Sequence, residues 1–325
     1  MHVRRGLLGW GVFLILAGAV PLAVRAGYLD SDQIARLWTL WPLILIGIGV
    51  GLVLGRTRFA FIGGLIVAAT LGLMAGGLLS TGMNTFSGGI CGQDSGATAF
   101  PAREGTFPVA GEVAMELDCG NVTVGMAPGT TWRVEGKDRD GSGPEIAVVD
   151  TTLRVRSRDG DRPAWFLGAR ETWQVTLPAT PRLELDLRLN AGQATMDLAG
   201  ATLGTVDLQL NAGAATVDLG SATEIRTIAF ELNAGSLGLT LPNLSMTGSI
   251  GANAGSVRLC APPDAGLRLQ TGDSILGSYD YAGHGLVQDG TTWTTPGFAS
   301  ATVQIDLRTE ANAGSFTLDP EGGCD

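Results

Sequence analysis

The phrase Asn-Ala-Gly occurs five times in this chain, at Asn190, Asn211, Asn233, Asn253 and Asn312. The first four copies start 21, 22 and 20 residues apart. A period of that size marks a repeat architecture, in which each unit buries its apolar face against its neighbours. Apolar residues precede each Asn at odd offsets: Leu185, Leu187 and Leu189, then Val206, Leu208 and Leu210, then Ile228, Phe230 and Leu232. They follow it at even offsets: Ala194, Met196 and Leu198, then Ala215, Val217 and Leu219, then Leu237, Leu239 and Leu241. Alternation means a strand with one buried face. A change of parity would turn a straight strand's side chains to the wrong side. The Asn-Ala-Gly unit is therefore expected to be a bend that absorbs one residue, built from residues that tolerate left-handed backbone.

Two strands and a corner per 20 to 22 residues predict an all-β domain, a single-stranded β-solenoid (β-helix-like) whose rungs stack at about 4.8 Å. Equivalent Asn side chains then form a hydrogen-bonded ladder, as in cross-β stacks. A β-sandwich of independent hairpins would not require the same corner at nearly constant spacing. A degenerate rung precedes the regular ones, with Asp118 in the Asn place, Val113, Met115 and Leu117 before it and Val122, Val124 and Met126 after it. Between them, residues 131–177 read as looser strands, either wider rungs with loops or a flanking sheet. A second degenerate rung follows at Leu267, Leu269, Gln270–Gly272 and Leu276, and the chain closes with a rung around Asn312. The break at 277–300 gathers Tyr279, Tyr281, His284, Trp293 and Phe298. Those aromatics read as a cap over the open end, which terminal repeats need. The other reading is a recognition surface for a partner or polymer, with Tyr281, His284, Trp293 and Phe298 as its residues.

Ahead of the repeats the chain is of another kind. Residues 6–24, 38–55 and 59–80 are uncharged apolar runs. Each is close to the ~20 residues a bilayer span needs, and three transmembrane helices are expected. The first run has an alternative as a secretory signal, with Arg4-Arg5 before it and Val24-Arg25-Ala26 as a cleavage site. Arg4 and Arg5, and Arg56 with Arg58 between the second and third runs, place those segments in the cytoplasm and the C-terminal domain outside. Trp38 and Trp41 fit an interfacial belt. Gly47, Gly51 and Gly55, with Gly72 and Gly76, have the spacing that lets helices approach closely. They serve either to pack the second helix on the third or to dock a partner membrane protein. Residues 81–110 read as a flexible linker, and 111–325 as the ectodomain.

Charge and cysteines fit that division. Of 21 basic and 31 acidic residues, six and two fall in 1–80, which leaves 15 and 29 beyond. So acidic a domain argues against nucleic acid as a partner. All four cysteines, Cys91, Cys119, Cys260 and Cys324, lie after residue 80 and none forms a Cys-x-x-Cys pair. They suit two disulfides in an oxidising compartment. Three pairings exist; Cys91–Cys119 with Cys260–Cys324 ties each chain end to the repeats, and four buried thiols are the alternative.

Catalytic chemistry finds little purchase. His2 and His284 are the two histidines, and no Gly-x-Ser-x-Gly elbow, His-Glu-x-x-His or phosphate-binding loop is present. No enzyme activity, cofactor or metal is expected. Asp197 and Asp218 face outward on adjacent rungs, which suits a bridging cation or, more simply, two hydrated carboxylates.

The run from Gly6 to Gly77, with Trp41-Pro42-Leu43-Ile44-Leu45-Ile46-Gly47 at its centre, resembles the membrane region of LiaI/LiaF-like bacterial proteins. Residues 107–178 and 267–319 resemble toast-rack or head-GIN adhesin-type domains. The resemblance implies a non-enzymatic envelope protein of the cell membrane, associated with envelope stress and acting through protein contacts, as LiaF restrains a sensor histidine kinase. The alternative is an adhesin or scaffold that binds envelope polymers or self-associates as a homo-oligomer.

Overall fold

The computed structural model describes residues 10–15, 18–19, 42–53, 61–81, 97–138, 140–158, 171–272, 274, 276–281, 285–319 and 323–324. The chain divides into two compact units, Met1–Gly89 and Ile90–Asp325.

In the first unit residues 10–15 are helical. Two longer helices follow, α1 (Pro42–Val53) and α2 (Phe61–Thr81). Pro42 opens α1, where its missing N–H costs nothing. Gly47 sits where α1 meets α2: a Cβ there would come within 2.9 Å of Val67 Cγ2 and 3.1 Å of the Gly63 carbonyl oxygen. Gly72 is buried in α2. Gly51 and Gly76 lie within α1 and α2, and Gly55 lies outside the described residues. Among residues whose side chains are described, no helix is long and apolar enough to cross a membrane. In α2 those side chains stop at Leu73; the full 21-residue helix carries no charge. The arginines that set the expected orientation, and Trp38 and Trp41, lie outside the described residues.

The second unit is β throughout. Its strands are β1 (Thr98–Thr106), β2 (Ala110–Ala127), β3 (Thr131–Asp138), β4 (Glu145–Val149), β5 (Thr152–Arg156), β6 (Glu171–Pro178), β7 (Arg182–Asp197), β8 (Thr202–Leu210) and β9 (Gly213–Asp218). They continue as β10 (Thr227–Thr240), β11 (Met246–Cys260), β12 (Gly266–Thr271), β13 (Ser278–Asp280), β14 (Val287–Asp289), β15 (Thr292–Thr294), β16 (Gln304–Ala311) and β17 (Ser315–Leu318). All 17 belong to one mixed sheet.

Its middle is a stack of parallel layers in register, save one shift between Leu183 and Leu185, and in β7, β8 with β9, β10, β11 and β16 with β17 two arms meet at an Asn-Ala-Gly corner. The layers run β5 with β6, β2, β7, β8 with β9, β10, β11, β16 with β17, and β12 with β13. This order departs twice from the sequence. The degenerate rung of β2 lies inside β5 and β6 rather than at the end. The last Asn-Ala-Gly layer, β16 with β17, inserts between β11 and β12, so β11 does not pair with the next segment along the chain. The stretch between, 261–303, makes the outermost layer and its antiparallel edge, β15 on β12 and β14 on β15. At the other end β4 pairs antiparallel with β5, β3 with β6 and β1 with β3. The loose segment 131–177 thus supplies both an outer layer and flanking strands.

Residues 98–106, expected as the end of a spacer, form β1. Phe100 and Phe107 anchor it, 6% and 1% exposed.

The corners are forced by glycine. Gly192, Gly213 and Gly235 have φ of 137°, 138° and 135°. A Cβ on Gly213 would fall 1.9 Å from the carbonyl oxygen of Gly192, and one on Gly235 1.8 Å from that of Gly213. Both backbone angle and stacking distance exclude a side chain. The bend absorbs one residue, and both arms turn their apolar sets inward: Leu187, Leu208, Met196 and Val217 are at most 1% exposed. One inward column runs Val155, Met115, Leu187, Leu208, Phe230, Ile250 and then Thr309. Each such aliphatic side chain contributes roughly 1.5–3 kcal/mol by leaving water.

Candidate functional site

Stacking places the Asn side chains in a line. Asn312 Nδ2 donates to Asn253 Oδ1 (2.6 Å), Asn253 to Asn233 (2.6 Å), Asn233 to Asn211 (2.7 Å) and Asn211 to Asn190 (2.7 Å). Asn190 then donates to Asp118 Oδ1 at 2.8 Å. Every amide points the same way, and a carboxylate takes the last hydrogen bond, a charge-assisted one. Beyond it, the Asp118 backbone N–H donates to Ser157 Oγ (3.0 Å), whose hydroxyl donates to Glu171 Oε2 (3.2 Å). Glu171 pairs with Gly120 and so ends the glycine column. Burial pushes its carboxyl up to about 7, the nearby Asp118 and Asp138 carboxylates push the same way, and the Ser157 hydrogen bond opposes them. The sequence places Asp118 in the Asn column, but nothing in it reveals that Glu171 and Ser157 meet it.

At the opposite end the aromatics close the core. Tyr281 is fully buried, and its hydroxyl donates to Oγ1 of Thr309 at 2.9 Å, which satisfies the one polar residue of that inward column. Tyr279 stacks on Phe316 at 5.7 Å, and its hydroxyl accepts the Ala311 N–H at 2.9 Å. Trp293, half-buried, meets Tyr281 edge-on at 5.9 Å. Phe298 lies under the Arg268 guanidinium at 4.8 Å. Tyr281 therefore cannot belong to a recognition surface: it is spent on the core, and Trp293 and Phe298 are packed around the same end. His284 lies outside the described residues.

The outer faces of the two arms differ in chemistry. On the arm before the corner, adjacent layers set Arg154 and Arg156, Glu116, Asp186 and Arg188, Asp207, Glu231, Arg308 and Glu310 side by side. Arg156 pairs with Glu116 at 3.0 Å and Arg188 with Asp186 at 3.6 Å, both exposed. A shallow depression of about 340 Å³ opens where small residues, Ala229 and Ser249, lie beside larger ones, Arg308 and Gln270. On the arm after the corner the column nearest the bend, Asn121, Gln193, Ala214, Ser236, Ser256 and Ser315, holds no charge, and the next runs from Thr123, Thr195 and Thr216 through Gly238 to Arg258, Thr317 and Asp280, charged only toward that far end. Asp197 and Asp218 lie in register, but each turns back on its own chain, accepting the N–H of Ala199 (3.1 Å) and Gly220 (2.7 Å). Among the described residues no group of three or more His, Cys, Asp and Glu side chains could hold a metal ion.

Cys260 and Cys324 are joined by a disulfide, Cα–Cα 5.9 Å. The chain end lies over the second arm, where a Cβ on Gly238 would fall 1.8 Å from the Cys324 carbonyl oxygen. Cys119 is disulfide-bonded, and Cys91 lies outside the described residues.

Comparison with known proteins divides the chain at the same place. The N-terminal domain of toast_rack matches residues 110–241, and the LiaI-LiaF-like transmembrane region matches residues 8–53. The first match takes in the regular rungs up to β10, not the 267–319 segment on which part of the resemblance was read. No curated protein matches. Among solved structures, the chain is similar to three proteins provisionally named as adhesins. One is a cell adhesion protein from Clostridium sporogenes, with 12% identity, 67% of this chain and 98% of that one covered, and a TM-score of 0.44. The others are from Bacteroides fragilis (12% identity, 68% and 97% covered, TM-score 0.30) and Parabacteroides merdae (10% identity, 68% and 96% covered, TM-score 0.24).

Proposed function

Because the chain joins a LiaI-LiaF-like transmembrane region to the N-terminal domain of toast_rack, we propose that it is a non-enzymatic regulator of the cell envelope's stress response, working through protein contacts. In this reading three helices cross the cell membrane, the β domain is a solenoid standing outside, and the partner is a membrane sensor kinase that the protein restrains. The observation that carries it is the mixed-charge face of the first arm, an array of Arg, Asp and Glu columns on a rigid stack. Exposed pairs such as Arg188–Asp186 contribute little to folding. The same charges, held in fixed positions, give a partner specificity and a fast approach.

The test is an envelope-stress reporter in cells carrying either the full chain or a chain without residues 81–325. A regulator that acts partly through its helices keeps part of its effect in the truncated form. Reversal of Asp186, Asp207 and Glu231 to Lys in the full chain abolishes the remainder while the folded domain persists. If neither change moves the reporter, the regulator reading falls.

A second reading, an adhesin or scaffold for envelope polymers, is favoured by the uncharged hydroxyl and amide column nearest the bend on the second arm and by Thr123, Thr195 and Thr216 beside it. That face suits a neutral polysaccharide better than the charged one does. Binding of the full chain to isolated cell-wall polysaccharide, lost on Thr195→Arg with Thr216→Arg, distinguishes it.

A further inference from the structure

Sheets end in edges, and an edge strand offers a row of unused N–H and C=O groups to any other strand. Among the described residues the β domain has four such edges, and three are blunted. Strand β1 carries Pro101, Arg103 and Glu104 and breaks register between Phe100 and Arg103. Strands β13 and β14 are three residues each, and each ends in Asp. Strand β4 is the exception. Its five residues pair with β5 without a break, and Ile146-Ala147-Val148-Val149 holds no charge, Pro or Gly. Val148 and Val149 are 51% and 60% exposed.

The side chains continue the interior. Ile146 and Val148 stand opposite Val155 and Leu153, both fully buried, so they extend the inward columns one strand further and leave them open. We propose that β4 is a homodimer interface, pairing antiparallel with β4 of a second copy about a two-fold axis through Ala147. In that register Ile146 faces Val148 of the second copy, and Ala147 faces Ala147. The apolar columns of the two domains become continuous. A shift of one residue either way would set the inward side chains of one copy against the outward ones of the other, and in one direction it would also oppose Glu145 to Asp150, two like charges, so the sequence favours the Ala147 register. The far end of the stack is blunted, so a head-to-tail chain has no partner edge. The self-complementary pattern closes as an isologous pair instead. Five residues a side make a small interface, and anchoring in one membrane supplies the local concentration it needs. None of this depends on whether the protein restrains a kinase or holds a polymer.

The test uses the full chain in its own membrane and in detergent. Paired Cα atoms in an antiparallel ladder lie about 4.5–5.5 Å apart, within reach of a disulfide. Ala147→Cys is therefore expected to give a disulfide-linked dimer without reductant, and light scattering of the unaltered chain to give the mass of two copies. Adding Val148→Lys, which each dimer carries twice, is expected to weaken association roughly tenfold or more with an unchanged circular-dichroism spectrum. If that variant unfolds, the Ala147→Cys cross-link on the otherwise native chain decides. A monomer at every concentration with no cross-link at position 147 overturns the proposal. So does cross-linking of Ala147→Cys to Val287→Cys, which means head-to-tail pairing, or a membrane adduct with a different protein, which means that the edge receives a foreign strand.

Discussion

At the scale of single residues, the corner concentrates most of the constraint. An interior ladder residue such as Asn211 makes two side-chain hydrogen bonds, to Asn190 and from Asn233, whereas Asn312 makes one. At about 0.5–1.5 kcal/mol net per bond, and with water able to replace part of it, Asn211→Ala is expected to cost about 1–2 kcal/mol. Asn312→Ala should cost about half as much; denaturant unfolding of the two variants checks the ratio. Gly213→Ala asks for more, since its φ is 138° and the new Cβ would lie 1.9 Å from a carbonyl oxygen. A loss of about 3 kcal/mol or more is expected, with the corner distorted. Glu171 makes the domain sensitive to pH. Its carboxyl titrates at about 7 in the folded state against 4.5 ordinarily, so the folded state holds the proton more tightly. Its contribution to stability is greatest in acid, falls as pH rises from 4.5 to about 7, and is flat above. Glu171→Gln is therefore expected to stabilise the domain by about 2 kcal/mol near pH 8 and to change nothing near pH 4, read from thermal unfolding. Corner and core parity are legible in the sequence because both are local: the odd-to-even switch around Asn190 needs no partner to be seen. The Asp118–Ser157–Glu171 chain is not, because it joins residues up to 53 apart through a layer order that no local pattern encodes.

At the scale of elements, the layer order is the part the sequence hides. Asn253 and Asn312 read as the fourth and last copies with a break between them, yet their layers touch directly. Alternation specifies which face of a strand is buried and leaves its neighbour open. β1 is illegible for a different reason. Pro101, Arg103 and Glu104 give it the composition of a spacer, and those same residues blunt it as an edge. The Cys260–Cys324 disulfide acts at this scale too. It spans 64 residues, and that loop contains both the inserted layer β16–β17 and the outer layer β12–β13. Closing so long a loop in the unfolded chain is worth about 4 kcal/mol. Replacing both cysteines by Ser should cost about that much in denaturant unfolding, with the inserted layer the first to exchange its amide hydrogens.

At the scale of the whole molecule, the β domain is nearly one-dimensional: each layer's stability comes from its own core and its two neighbours. Amide exchange should accordingly grade along the stack. Leu187, Leu208 and Phe230, buried in the middle, are expected to be the slowest, and β4 and β14 at the ends the fastest. A flat profile would mean that the stack opens as one unit. The inserted layer also bears on how the protein is made. Residues 304–318 are synthesised after β11 and β12, yet their place is between them. A chain that stops short of residue 304 leaves the edges of β11 and of β12 with β13 bare. Completion of the fold is in this way tied to synthesis as far as residue 318, and a product truncated before it carries the sign of its own failure on its surface.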